Sequence, residues 1–251
     1  MSDIIPVEGG HLRTRAAAGG GRPLSSKLGV AVVHDLVAAI VTGEVQPGSP
    51  LPPEVVLSQN FGVSRTVIRE SIKRIEEKGL VRIEQGRGTH VRPASSWNVL
   101  DPVVLSVMVE NDESLRVLDD LSVVRASLEA SMAGLTASLR SEDQLQALAQ
   151  QLANMEASLD DEEAFGEADA EFHLLVMAAS RNTLADSITR ILFERARESG
   201  RFRGTATREL LEVTVDEHRS VYEAIARADP AAAQELMRVH IHGSWARRRP
   251  S

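Results

Sequence analysis

The sequence predicts a mainly α protein in two parts: an N-terminal winged helix-turn-helix, with three helices plus a β-hairpin wing, and a C-terminal all-α helical bundle. Three observations predict it. Residues 62–80 read Gly-Val-Ser-Arg-Thr-Val-Ile-Arg-Glu-Ser-Ile-Lys-Arg-Ile-Glu-Glu-Lys-Gly-Leu, an amphipathic helix with its own start and stop signals. A glycine-tipped hairpin pattern follows at 80–91. Beyond Asp101 no strand-like alternation persists, proline occurs only at 102, 230 and 250, and Ala, Leu, Glu and Arg dominate.

Residues 1–22 contain Gly9-Gly10 and Ala16-Ala-Ala-Gly-Gly-Gly21 with Arg13, Arg15 and Arg22, a composition that buries no core, so a disordered tail is expected there. The winged domain is expected over 23–93. Apolar residues at Val30, Val33, Val37 and Ile40 or Val41 mark its first helix over 27–42, and Leu51-Pro52-Pro53-Glu54 begins the second. Ser64 opens the third as an N-cap, its side chain accepting from an otherwise unpaired backbone N–H. Within that helix Ile68, Ile72 and Ile75 form one stripe that needs a core. Arg65, Arg69 and Lys73 recur every four residues on a different side, beginning in the first turn, where a recognition helix presents side chains to base edges. Gly79 stops the helix, and the hairpin pivots on Gln85-Gly86-Arg87-Gly88.

A linker is expected over 94–101, with Trp97 and Leu100 packed rather than floating. An all-helical domain then fills 102–248, with helices at 102–109, 114–139, 142–159, 162–180, 182–199, 208–228 and 230–248. Pro230 suits a first turn, where a missing N–H costs nothing.

Charge supports the division. Of the formal −8, residues 1–95 carry +3 and residues 96–251 carry −11, so an acidic whole contains a basic part fit for phosphate contacts. The absence of cysteine excludes disulfides, thiolate metal sites and cysteine nucleophiles. No stretch approaches the roughly 20 apolar residues of a membrane span, and the first residues lack the apolar core of a secretory signal. A soluble, cytoplasmic protein is expected.

The helical part contains candidate metal ligands. Asp169 and His173 lie four apart and share a helix face with Phe172, Val176 and Met177 nearby. His218 shares a stripe with Val221, Tyr222 and Ile225, and His240 shares one with Ala233, Leu236 and Met237. His242 is rotated about 200° from His240 and points elsewhere. One inward histidine is ordinarily a core histidine satisfied by a hydrogen bond, but three with an aspartate offer nitrogen and oxygen ligands suited to Zn²⁺, Ni²⁺ or Mn²⁺. Arg125 lies on a helix whose apolar face is Val117, Leu121, Val124 and Leu128; it reads equally as a carboxylate clamp or as an i, i+4 partner of Glu129.

These residues resemble the GntR superfamily of bacterial regulators, in its FadR-like branch with an FCD effector domain. The N-terminal pattern is Gly43-x-x-x-Pro47-Gly48-x-x-Leu51-Pro52-x-Glu54, Val63-Ser64-Arg65-x-x-Ile68-Arg69-Glu70, Gly79-Leu80-Val81 and Gly86-x-Gly88. The C-terminal pattern is Arg125-x-x-Leu128-Glu129, Asp169-x-x-x-His173, Asn182, Glu217-His218 and His240. The resemblance implies DNA contacts at Arg65, Thr66 and Arg69, with Gly86 and Arg87 in a wing that reaches the minor groove; Ser64 and Lys73, from the reading of the helix itself, complete the expected DNA-binding set. The resemblance also implies metal ligation by Asp169, His173, His218 and His240, and effector binding near Arg125 and Asn182. Val55 stands where many members carry an arginine, so one DNA contact is missing. The segment Trp97-Asn-Val-Leu-Asp-Pro-Val-Val-Leu105, with Pro47-Gly-Ser-Pro-Leu-Pro52, looks like members of the sugar-acid, galactonate type.

The expectation is a homodimeric transcription regulator, a repressor of an organic-acid or sugar-acid catabolic operon, that binds a pseudo-palindromic operator and responds to a small carboxylate on a metal-containing helical domain. Two readings stand beside it: a metal-dependent enzyme built on the Asp/His cluster, with Glu217 as the evident acid or base, and a DNA-packaging protein of little sequence preference.

Overall fold

The computed structural model describes residues 24–198 and 207–249. The tail expected at 1–22, its three arginines and the last residue of the helix expected at 182–199 lie outside them. The architecture is mainly α: N-terminal helices with a small antiparallel hairpin, then an all-α bundle. The chain divides into two compact units, 1–111 and 112–251.

In the first unit α1 (Leu24–Val41), α2 (Glu54–Phe61) and α3 (Arg65–Glu77) surround a core of Val33, Leu36, Val37, Ile40, Leu57, Ile68, Ile72 and Ile75. Gly62 caps α2 in the left-handed conformation (φ 63°), which makes the turn into α3. Ser64 then caps α3, its Oγ accepting from Val67 N–H at 3.3 Å. The stripe read from the sequence is the buried stripe: Ile68 and Ile75 are fully covered and Ile72 nearly so. Ile75→Ala is therefore expected to cost about 2–5 kcal/mol, from lost transfer free energy and the cavity left behind. Thermal unfolding would show it, and a variant as stable as the parent would contradict this packing.

β1 (Val81–Glu84) pairs antiparallel with β2 (Gly88–Val91), from Val81 opposite Val91 to Glu84 opposite Gly88. The segment before α2 runs along β2: Gly48 N–H donates to Val91 O, Val91 N–H to Ser49 O and Leu51 N–H to Thr89 O. The inner edge of the wing is thus tied to the rest of the unit. Its tip is free in solvent.

Residues 94–101 pack on the same unit. Trp97 Nε1 donates to Arg92 O at 3.2 Å, Asn98 N–H donates to Lys78 O at 2.9 Å, and Lys78 pairs with Asp101. Gly79, at φ 79°, lies so close that an added Cβ would collide with the Ser96 carbonyl oxygen. Helix α4 (Pro102–Glu110), capped by Asp101, continues the first unit, with Val104 and Val107 in its core. The sequence reading begins the helical part at 102, whereas α4 packs against α1 and the compact units part after Asn111.

In the second unit α5 (Arg116–Leu139) packs along its length against α10 (Pro230–Arg248), with α6 (Glu142–Ala157), α7 (Glu162–Ala179), α8 (Thr183–Glu198) and α9 (Arg208–Ala226) around them. Caps start these helices where expected: Ser141 and Gln144 form a reciprocal capping box, and Asp161, Thr207 and Asp229 each accept a backbone N–H. Small residues let α5 and α10 approach closely, since a Cβ on Gly134 would lie 3.1 Å from Pro230 O. The far end is fixed by Trp245 Nε1, which donates to Asp119 at 2.7 Å. Among the described residues no helix is long and apolar enough to cross a membrane.

Candidate metal centre and nucleic-acid interface

The outer face of α3 carries Arg65, Thr66, Arg69 and Lys73, all exposed, because the isoleucine stripe takes the opposite side. Glu54, the first residue of α2, grips this face from below. Arg69 donates to it through Nε at 3.2 Å and Nη2 at 3.0 Å, and Arg65 Nη2 stands 4.0 Å from the same carboxylate. Both arginine side chains remain some 60% exposed (63% and 60%), so the clasp orients them without burying them. Lys73 pairs with Glu70, and Arg87 projects from the wing beside the exposed Gly86. Ser64 serves as the cap that starts this face. Val55, in the place of an arginine, is 46% exposed and adds no charge to it.

The forked pairing of Glu54 with Arg69 was not read from the sequence, although the glutamate itself stood out. Glu54→Ala is expected to free both guanidiniums and lower discrimination between operator and random DNA more than affinity for either. Competition binding at fixed salt would show this. Unchanged discrimination would leave the Glu54–Arg69 pair a purely structural contact between α2 and α3.

In the second unit, α7 brings Asp169 and His173, α9 brings His218 and α10 brings His240 to one point, where their ligand atoms lie within 4.8 Å of one another. His173 Nε2 is 3.3 Å from His240 Nε2, and His218 Nε2 is 3.5 Å from Asp169 Oδ1. Ligands held about 2.0–2.2 Å from one ion would sit at comparable separations. The second nitrogen of each imidazole has its own neighbour. His173 Nδ1 is 2.7 Å from Glu129, His218 Nδ1 is 2.8 Å from Thr214 O, and His240 Nδ1 is 2.8 Å from Glu217. Such outer partners fix which nitrogen faces inward.

Each Nε2 is thereby turned toward the common point. That of His218 is fully buried and has no hydrogen-bond partner among the described residues, an arrangement that costs stability unless something accepts its lone pair. Burial pushes His218 down to about 3 and lowers His240 as well, which keeps both imidazoles neutral, the form that binds metal. Burial works to raise the Asp169 carboxyl, but the groups around it, the cationic Arg248 among them, hold it far below the usual range. Glu129 shows the same contest, with burial opposed by Arg125 and His173, and ends at about 2. Three imidazoles and one carboxylate converging on one point fit a divalent ion.

The cluster forms one wall of a cavity of about 930 Å³, which Asp169, His173 and His240 line together with Arg125. Arg125 makes the i, i+4 pair with Glu129, its Nε donating at 2.7 Å, and it also lines the cavity, its guanidinium 4.5 Å from the Phe193 ring centre. Asn182 is not brought there. It is exposed, and its Oδ1 accepts from Ala185 N–H at the start of α8. Sequence reasoning missed Thr214 altogether and singled out Glu217 as a motif residue and a candidate acid or base, not as a support for His240. Arg247 holds that carboxylate at 2.8 and 2.6 Å while it supports His240, so it is already engaged on both sides.

Two family models match the chain: bacterial regulatory proteins of the gntR family over residues 28–91, and the FCD domain over residues 120–243. The galactonate operon transcriptional repressor of Escherichia coli (strain K12) is 32% identical over 223 residues, covering 86% of this chain and 94% of that one. The protein belongs to the GntR family and carries an FCD domain. A second relative, the HTH-type transcriptional regulator LutR of Bacillus subtilis (strain 168), is 28% identical, covering 80% of this chain and 92% of its own. Among solved structures, Lar, described as controlling expression of the Listeria monocytogenes agr system, shares the fold with a TM-score of 0.58 at 19% identity, covering 92% of this chain and 98% of that one.

As a GntR-family protein with an FCD domain, the chain is an effector-responsive, DNA-binding transcriptional regulator and not an enzyme. The first matched segment runs through α1 to β2, and the second spans the helices that build the Asp/His cluster.

Proposed function

We propose that this regulator is a homodimeric repressor of an organic-acid or sugar-acid catabolic operon, of the FadR-like branch and the galactonate type. It grips a pseudo-palindromic operator with two winged helices. Arg65, Thr66 and Arg69 read the major groove from the first turns of α3, Lys73 takes a phosphate, and Gly86 and Arg87 bring the wing to the minor groove. A small carboxylate enters the cavity of the helical unit, where Arg125 offers a planar pair of donors.

One observation carries the reading: Asp169, His173, His218 and His240 converge on the wall of the cavity that Arg125 also lines. These four residues would hold a divalent ion, zinc, nickel or manganese, and when bound it would supply a positive centre for an anionic oxygen. Since a ligand shifts an equilibrium only by its differential affinity for two states, the acid favours the form that holds the two reading helices at the wrong spacing for the operator. The galactonate repressor's name and the hydroxy-acid chemistry of such a centre support the class of effector.

The test is a gel shift of DNA upstream of the protein's own gene against a panel of hydroxy-acids, with and without prior removal of metal. Expected is a retarded complex that one acid class dissolves, and only in metal-loaded protein. A complex indifferent to every acid, or equally responsive after chelation, would refute the effector mechanism while leaving DNA binding intact.

A further inference from the structure

Beyond the anion's point of attachment, the cavity contains a polar group that nothing among the described residues satisfies. Ser122 lies on α5, is 4% exposed, and lines the cavity. Its Oγ is fully buried and has no hydrogen-bond partner among the described residues. A buried hydroxyl left unpaired costs on the order of 1–3 kcal/mol. An alanine would fill the same backbone position without that cost, and the helix would prefer it.

The hydroxyl has a definite place relative to the rest of the site. Ser122, Arg125 and Glu129 follow one another at i, i+3 and i+7, a single face of α5. Glu129 touches His173, Arg125 touches Glu129, and Ser122 comes next in the row. At 1.5 Å per residue, Ser122 is on the order of 10 Å along the helix from the residue that supports the metal cluster. A molecule that spans from the cluster to Ser122 is longer than a three-carbon acid, and its far part must carry an oxygen. The lining adds carboxylates at Glu162, Glu163 and Glu167, which accept hydrogen bonds and repel a second anionic group.

We infer that Ser122 is a specificity-determining residue of the effector cavity, hydrogen-bonded to a hydroxyl on the chain of a polyhydroxylated carboxylate whose anionic end lies toward the metal cluster. The inference rests on the effector reading proposed above. It adds a length and a pattern of hydroxyls to that reading. A site built around a hydrogen bond discriminates strongly against the analogue lacking it, because the protein group is then buried unpaired.

The experiment uses the full-length, metal-loaded protein and three probes: gluconate, hexanoate (the same chain length without hydroxyls) and lactate, which is too short to reach Ser122. Affinities are measured by calorimetry for the parent and for Ser122→Ala, and thermal stability is measured without ligand. In the variant, gluconate is expected to weaken about tenfold, the effect of one lost hydrogen bond, with hexanoate and lactate unchanged. Without ligand, Ser122→Ala is expected to melt no lower than the parent. Equal gluconate affinity in parent and variant would overturn the inference and assign the hydroxyl to a bound water, with the effector reading untouched. Uniform weakening of all three probes would show a packing role and overturn it too. If gluconate does not bind the parent while lactate does, the length argument fails and the inference with it. If no probe binds, the effector reading falls first.

Discussion

Arg65→Ala is expected to abolish recognition of the operator, and Arg69→Ala to do nearly the same. A bidentate contact from arginine to a base edge is worth about 1–3 kcal/mol, and the dimer proposed above would lose it twice on a palindrome. One substitution should therefore weaken specific binding on the order of a hundredfold or more. Two local features make the loss severe. Val55 leaves α2 without the arginine that would share the reading, and Glu54 holds both remaining guanidiniums by one carboxylate. Lys73→Ala should act differently, weakening operator and random DNA alike and lowering the salt dependence. Anisotropy titrations at two salt concentrations would separate these outcomes. Unchanged operator selectivity in Arg65→Ala would remove α3 from the role of reader.

The second large effect concerns the cluster. His173→Ala and Asp169→Asn are expected to bring bound metal close to zero after dialysis, and Glu129→Gln to lower affinity about 10–100-fold, the usual cost of losing an outer partner. Glu129 is informative because it touches no ion. It stands 2.7 Å from His173 Nδ1 and is held by Arg125, so its replacement tests whether the imidazole's orientation matters. Metal content by elemental analysis, with circular dichroism to verify folding, gives the answer. Full occupancy in folded His173→Ala and Asp169→Asn would dismiss the site.

Much of this was legible because periodicity reports burial. Ile68, Ile72 and Ile75 had to be one face of α3, and the same spacing put Asp169 and His173 together on α7. The inward histidines were recognisable one helix at a time, since an imidazole on an apolar stripe is seen without knowing what it faces. What joins them was not. Glu217 precedes His218 by one position, so its side chain diverges from the cluster's own stripe on α9, yet it serves His240 from across a helix interface. Direction between helices leaves no mark in spacing. Helix α4 shows the same limit: its valines demand a core, but the pattern does not say which, and Val104 and Val107 fill the first one. Asn182 stood out by its motif, while its local work is to cap α8.

The meeting of Gly79 with Ser96 has a mechanical meaning. The trailing end of the recognition helix is soldered to the strap that follows the wing, by a backbone contact with no room for a methyl group, by Asn98 N–H on the Lys78 carbonyl, and by Lys78 on Asp101. A tug on Asp101 therefore reaches Lys78 with no slack between, and α3 is a lever whose handle is residues 96–101.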